Sequence, residues 1–69
     1  MIHNNLSTIM GAKRLSIAEV ARTADIRYET LHKIYHDKTK SIDFRILNKL
    51  CWALECTPND IFTYIPDKD

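Results

Sequence analysis

Apolar residues along this chain recur at helical spacing in short blocks divided by polar punctuation, and the blocks predict five helices. The first runs from Asn4 or Asn5, either of which can cap it, to about Lys13, with Leu6, Ile9 and Met10 facing inward. Gly11, the only glycine, marks its fraying end together with Lys13 and Arg14. The second starts at Ser16, where Ser16 and Glu19 form an S-x-x-E capping box and Leu15 and Val20 a hydrophobic staple. Val20, Ala21 and Ala24 continue its buried stripe, which breaks at Asp25 and restarts through Ile26, Leu31, Ile34 and Tyr35 in a third helix beginning near Arg27. Asp43 caps a fourth, with Ile42 and Leu47 as staple and Phe44, Leu47, Leu50, Cys51 and Leu54 as its core stripe, leaving Ile46 and Trp52 off that stripe. Thr57, Pro58 and Asp60 open a short fifth helix stapled by Cys56 and Ile61, and Pro66 stops whatever follows.

Helices two and three are separated by about three residues, which forces a sharp corner where small Ala21 permits close backbone approach. The span 16–35 therefore reads as a helix-turn-helix. Its second helix leaves Arg27, Tyr28, Glu29, His32 and Lys33 facing solvent, a set of long or planar hydrogen-bonding groups that fits the DNA major groove. In S-x-x-E-V-A, in the corner Ala24-Asp25-Ile26 and in T-L-x-K-I the chain resembles the Cro- and lambda-repressor-like helix-turn-helix regulators of phage and bacteria, the XRE family. The resemblance covers roughly Leu6 to Phe62. That family usually has glycine at the corner and a small hydroxyl residue capping the second helix, where this chain has Asp25 and Arg27. Aspartate tolerates a left-handed backbone better than most residues, whereas arginine cannot accept a hydrogen bond from the helix amides.

Composition narrows the class. Sixty-nine residues make one domain with a small core of modest stability, for which oligomerisation is the expected support. Apolar residues are 45% of the chain, so it is globular, and no apolar run is long enough to cross a membrane. MIHNNLSTIM has no basic segment followed by an apolar one, so the expected location is the cytoplasm. The net charge of only +1 hides a polarity: from Lys13 to Lys49 nine Lys and Arg face five acids, and beyond it Lys68 faces Glu55, Asp60, Asp67 and Asp69. A basic half and an acidic half suit docking one face on phosphates, although small domains also scatter charge this way by chance.

The loop His36 to Ser41 follows the third helix directly, and Lys38, Thr39 and Lys40 within it suit phosphate contact. Lys13 and Arg14 have two readings, phosphate contact or favourable charge at a helix C-terminus. Trp52 reads as a partner surface or as an innocent exposed aromatic. Phe62, Tyr64 and Ile65, in the tail 62–69, read as a homodimer seam, with folding back onto the chain's own core as the other reading.

Enzyme chemistry finds no support: there is no glycine-rich phosphate loop, no G-x-S-x-G and no pair of carboxylates placed for a cleft. His32 and His36 have a metal-ligand spacing, yet Cys51 and Cys56 read as small core residues and lack C-x-x-C spacing, so no metal, disulfide or other cofactor is expected. No small-molecule ligand is evident either.

The expected protein is an all-α, compact five-helix domain of lambda-repressor-like type that binds double-stranded DNA. What the resemblance implies is a transcriptional regulator, most simply a repressor binding a near-palindromic operator as a dimer. Tyr28, Glu29 and Lys33, with His32 as a weaker member, are assigned to base edges; Arg27, Lys38, Thr39, Lys40 and the helix start at Ser16 and Ile17 are assigned to phosphates. The rival is a protein-interaction module of the same fold, such as an antirepressor, a partner subunit or an antitoxin, supported by the low net charge, by Asp25 and Glu29 and by the aromatic tail.

Overall fold

Side-chain caps decide where the helices begin. Ser16 Oγ accepts from the Glu19 amide at 3.1 Å while Glu19 Oε1 accepts from the Ser16 amide at 2.9 Å, and helix α2 (Ile17–Ala24) follows. Asp43 accepts from the Ile46 amide at 2.8 Å ahead of α4 (Phe44–Leu54). Asp60 turns back to accept from the Thr57 amide at 2.9 Å, starting α5 (Pro58–Ile61). Helix α1 (Leu6–Ala12) begins after Asn5, but the capping oxygen is that of Asn4, which takes the Leu6 amide at 2.9 Å. Helix α3 (Tyr28–Tyr35) starts at Arg27 with no side-chain cap, as its residue type requires. The structure, a computed structural model, describes residues 1–67, so positions 68 and 69 of the tail lie outside it.

One device ends four of the helices. Arg14, Asp25, Asp37 and Glu55 each take φ between 53° and 60°, and none of them is glycine. After each one the chain turns back onto its helix: the amides of Leu15, Ile26, Lys38 and Cys56 donate to the carbonyls of Met10, Ala21, Lys33 and Cys51 five residues earlier. Leu15, Ile26 and Cys56 drop apolar side chains into or against the core as they do so. Gly11, expected at the end of α1, sits inside that helix, and the left-handed residue is Arg14.

The core gathers Leu6 and Met10 from α1, Val20, Ala21 and Ala24 from α2, Ile26 ahead of α3, Leu31 and Ile34 within it, Leu50 and Leu54 from α4, and Ile61 from α5. Two expectations for α4 are corrected. Phe44 is 87% exposed and off the core, while Ile46 is half-buried against it. Leu50 and Leu54 fix the inward direction, and Phe44 lies more than a quarter-turn away from it, so the stripe runs through Ile46, Leu47, Leu50, Cys51, Ala53 and Leu54.

The molecule is mostly helical with one element that helical periodicity did not reveal. Strands β1 (Ile2–Asn4) and β2 (Phe62–Tyr64) pair antiparallel, with Ile2 opposite Tyr64 and Asn4 opposite Phe62. Three-residue strands are too short to show alternation, and their pairing joins the two ends of the chain. The tail thus returns to its own chain through Phe62, which packs against the core, while Tyr64 and Ile65 stay exposed.

Candidate nucleic-acid interface

The Asp25 corner turns the chain out of α2, with φ 57° and ψ 51°, and the α2 and α3 backbones pack closely behind it. Lys49, reaching over from α4, donates to the Asp25 carbonyl at 2.9 Å and lies 3.8 Å from its carboxylate. Leu31 and Ile34 anchor α3 inward, which leaves Arg27, Tyr28, Glu29 and Lys33 on its exposed side.

His32 is half-buried, because it is caught in a ladder of rings. Tyr28 and His32 lie 5.9 Å apart, His32 and His36 4.3 Å, and Tyr35 meets His36 edge-on at 5.0 Å. The i, i+4 spacing that resembles a metal pair therefore serves stacking, and among the described residues no three His, Cys, Asp or Glu side chains gather as ligands. The stack stiffens the side from which Tyr28 projects.

The loop after α3 is held as well. The Lys38 amide donates to the Lys33 carbonyl at 2.8 Å, and Thr39 Oγ1 donates to the Ser41 carbonyl at 2.7 Å, leaving the Thr39 oxygen able only to accept. Lys38 and Lys40 are exposed beside a cleft of about 260 Å³ walled by Thr30, Lys33, Thr39, Ser41 and Asp43. This cleft brings a base-reading candidate and a phosphate candidate, Lys33 and Thr39, to one place. Its other wall, Thr30, escaped the sequence reading because it lies between the outward and inward stripes of α3.

At the start of α2 the capping box consumes the Ser16 and Glu19 amides, so the donors left for an anion are the amides of Ile17 and Ala18 and the Ser16 hydroxyl. Ile17 packs its side chain against the core, which fixes its amide. The Ser16 amide, then the Ser16 hydroxyl and nearby Arg22, hold the Glu19 carboxyl below its ordinary range. It is ionised at neutral pH and places a negative charge near that anion site. Cys51 and Cys56 are both free thiols, and burial pushes the Cys56 thiol up.

Residues 5–67 match the family model of the Cro/C1-type helix-turn-helix DNA-binding domain, a span that includes every helix described above. The chain belongs to that family. It is also 31% identical over 65 residues to the uncharacterized HTH-type transcriptional regulator YozG of Bacillus subtilis strain 168, covering 94% of this chain and 77% of that protein. Membership in this Cro/C1-type, or XRE-like, family makes the protein a helix-turn-helix DNA-binding transcription regulator. No helix among the described residues is long and apolar enough to cross a membrane.

Two further residues of this family member support the interface without having been found in the sequence. Lys49 clamps the corner, and Asn4 donates through Nδ2 to the Ile34 carbonyl near the end of α3 at 2.7 Å. Partners 24 and 30 residues apart leave no local signal.

Proposed function

We propose that this protein is a transcriptional repressor of the cytoplasm that binds a near-palindromic operator as a homodimer and blocks promoter access. The observation that carries the reading is the outer side of α3, where Tyr28, Glu29 and Lys33 are exposed on a helix anchored by Leu31 and Ile34. Lysine suits guanine O6 and N7, glutamate accepts from cytosine N4, and the tyrosine ring or hydroxyl meets a thymine. His32, braced between two rings, contributes an edge at most. Arg27, Lys38, Lys40 and the amide end of α2 at Ser16 and Ile17 hold phosphates on either side, and Thr39, whose hydroxyl is spent on the Ser41 carbonyl, offers a phosphate only its backbone amide. In a dimer, two copies of α3 would enter successive major grooves about 34 Å apart.

The test is recovery of genomic fragments by the purified protein, followed by a salt titration on the best fragment. An inverted repeat with half-sites one helical turn apart, bound less tightly as salt rises, supports the reading. Lys33→Ala should then lose about 1–3 kcal/mol at one base position, and Lys38→Ala should weaken all sequences alike and flatten the salt slope by about one. Folded protein that enriches no sequence at low salt would sink it in favour of a protein-interaction module.

A further inference from the structure

The least explained surface is the outer face of α4. Phe44, Asn48 and Trp52 follow at intervals of four, which places them on one strip of the helix, and all three are exposed. Phe44 is 87% and Trp52 71% exposed, on the side of α4 turned away from Leu50 and Leu54. At roughly 150–250 Å² per aromatic side chain, the two rings offer about 350 Å² of apolar surface on one helix face. Scattered exposed apolar residues need no explanation, but the largest apolar patch of a small protein, commonly about 300–600 Å², is often functional, and this strip is of that size.

We propose that this strip is the seam between two copies of the chain, packed antiparallel across a two-fold axis at Asn48. The argument is its self-complementarity. Phe44 and Trp52 lie equally far from Asn48, about 6 Å along the axis at 1.5 Å per residue, so an antiparallel second copy sets each tryptophan against the other's phenylalanine. A groove of about 250 Å³ lies beside Phe44, lined also by Leu47, Asn48, Cys51 and Pro58, so the strip is not flat. The paired rings would cover about 700 Å², more than half of the roughly 1,200 Å² that a specific interface needs. Asn48 faces Asn48 across the axis, where two side-chain amides can exchange hydrogen bonds.

This seam rests on the dimeric reading above and changes its location: the dimer is carried by α4, and the tail strand is occupied within its own chain. Trp52 is the sole tryptophan, so its fluorescence reports the seam directly. Sedimentation of the full chain should show a dimer, and dilution should move the Trp52 emission to longer wavelength as dimers part. Phe44→Ser combined with Trp52→Ser should raise the dimer dissociation constant at least about 100-fold with the helical circular dichroism unchanged, since both rings are outside the core. Asn48→Cys, in a chain with Cys51→Ser and Cys56→Ser that is shown to fold, should give a disulfide-linked dimer on mild oxidation. A wild type that stays monomeric at high concentration would overturn the proposal. So would a dimer that survives the Phe44 and Trp52 substitutions and is broken by Ile2→Ser with Tyr64→Ser. A cross-linked dimer that binds no DNA would support the seam and refute the repressor reading instead.

Discussion

Asp25 stands where a left-handed backbone is required, and replacing it measures that requirement. An L-residue with a Cβ costs roughly 1–2 kcal/mol in this conformation, with aspartate toward the lower end. Asp25→Gly relieves the cost but returns roughly 0.5–1 kcal/mol through the greater freedom of the unfolded chain. The Lys49 contact changes the balance little: its 2.9 Å bond goes to the Asp25 carbonyl, which glycine keeps, and the 3.8 Å ion pair engages a carboxylate whose side chain is 98% exposed. The expected order of stability is therefore glycine, then aspartate, then alanine, with glycine above alanine by about 1 kcal/mol. Urea unfolding followed by circular dichroism reads the difference, which corresponds to about 4–8 °C in Tm for a domain of this size. Equal stabilities for the glycine and alanine variants, at an unchanged m-value, would refute the strain at the corner.

Gly11→Ala should stabilise the protein by about 1 kcal/mol in the same assay, because Gly11 lies inside α1 and an added Cβ meets nothing within 4 Å. Asn4→Ala should cost about 1–3 kcal/mol, since the Ile34 carbonyl and the Leu6 amide both lose partners, and hydrogen exchange should quicken at the N-terminus of α1. The capping box makes a pH prediction. The Glu19 carboxyl is held below the ordinary value of 4.5, so its contribution is fully present above that value and is lost as pH falls through the lower folded one. Wild type should therefore exceed Glu19→Gln in stability at pH 7, and the gap should close under acid titration; a gap that persists unchanged in strong acid would rule out the ionised cap.

The helices were legible because their signals are local. The Ser16–Glu19 box, the Asp43 and Thr57 starts and the Asp25 corner each lie within a few residues of what they control, and all are found where the pattern puts them. Phe44 was misassigned because an apolar residue in the first turn counts toward a stripe regardless of which way that turn faces, a direction Leu50 and Leu54 fix only once α4 is packed. The left-handed stops at Arg14, Asp37 and Glu55 were missed because glycine is the usual signal and none is there. The β1–β2 pairing and the Asn4 and Lys49 bonds join residues too distant for periodicity to link. At the interface, residue types and their exposure on α3 were legible, whereas the ring ladder enclosing His32 depends on side-chain directions.

The bond from Asn4 to the Ile34 carbonyl also sets a sequence in time. Asn4 is placed by β1, and β1 has no partner strand until Phe62–Tyr64 exists. Helices α1 to α4 can close on one another while the chain is still growing, because their contacts span modest separations. The rear of α3 is then secured last, when Phe62–Tyr64 reach back across some sixty positions to Ile2–Asn4. A nascent chain interrupted before Phe62 would hold most of the core and all of the interface residues, yet its third helix would lack the Asn4 anchor at its C-terminal turn.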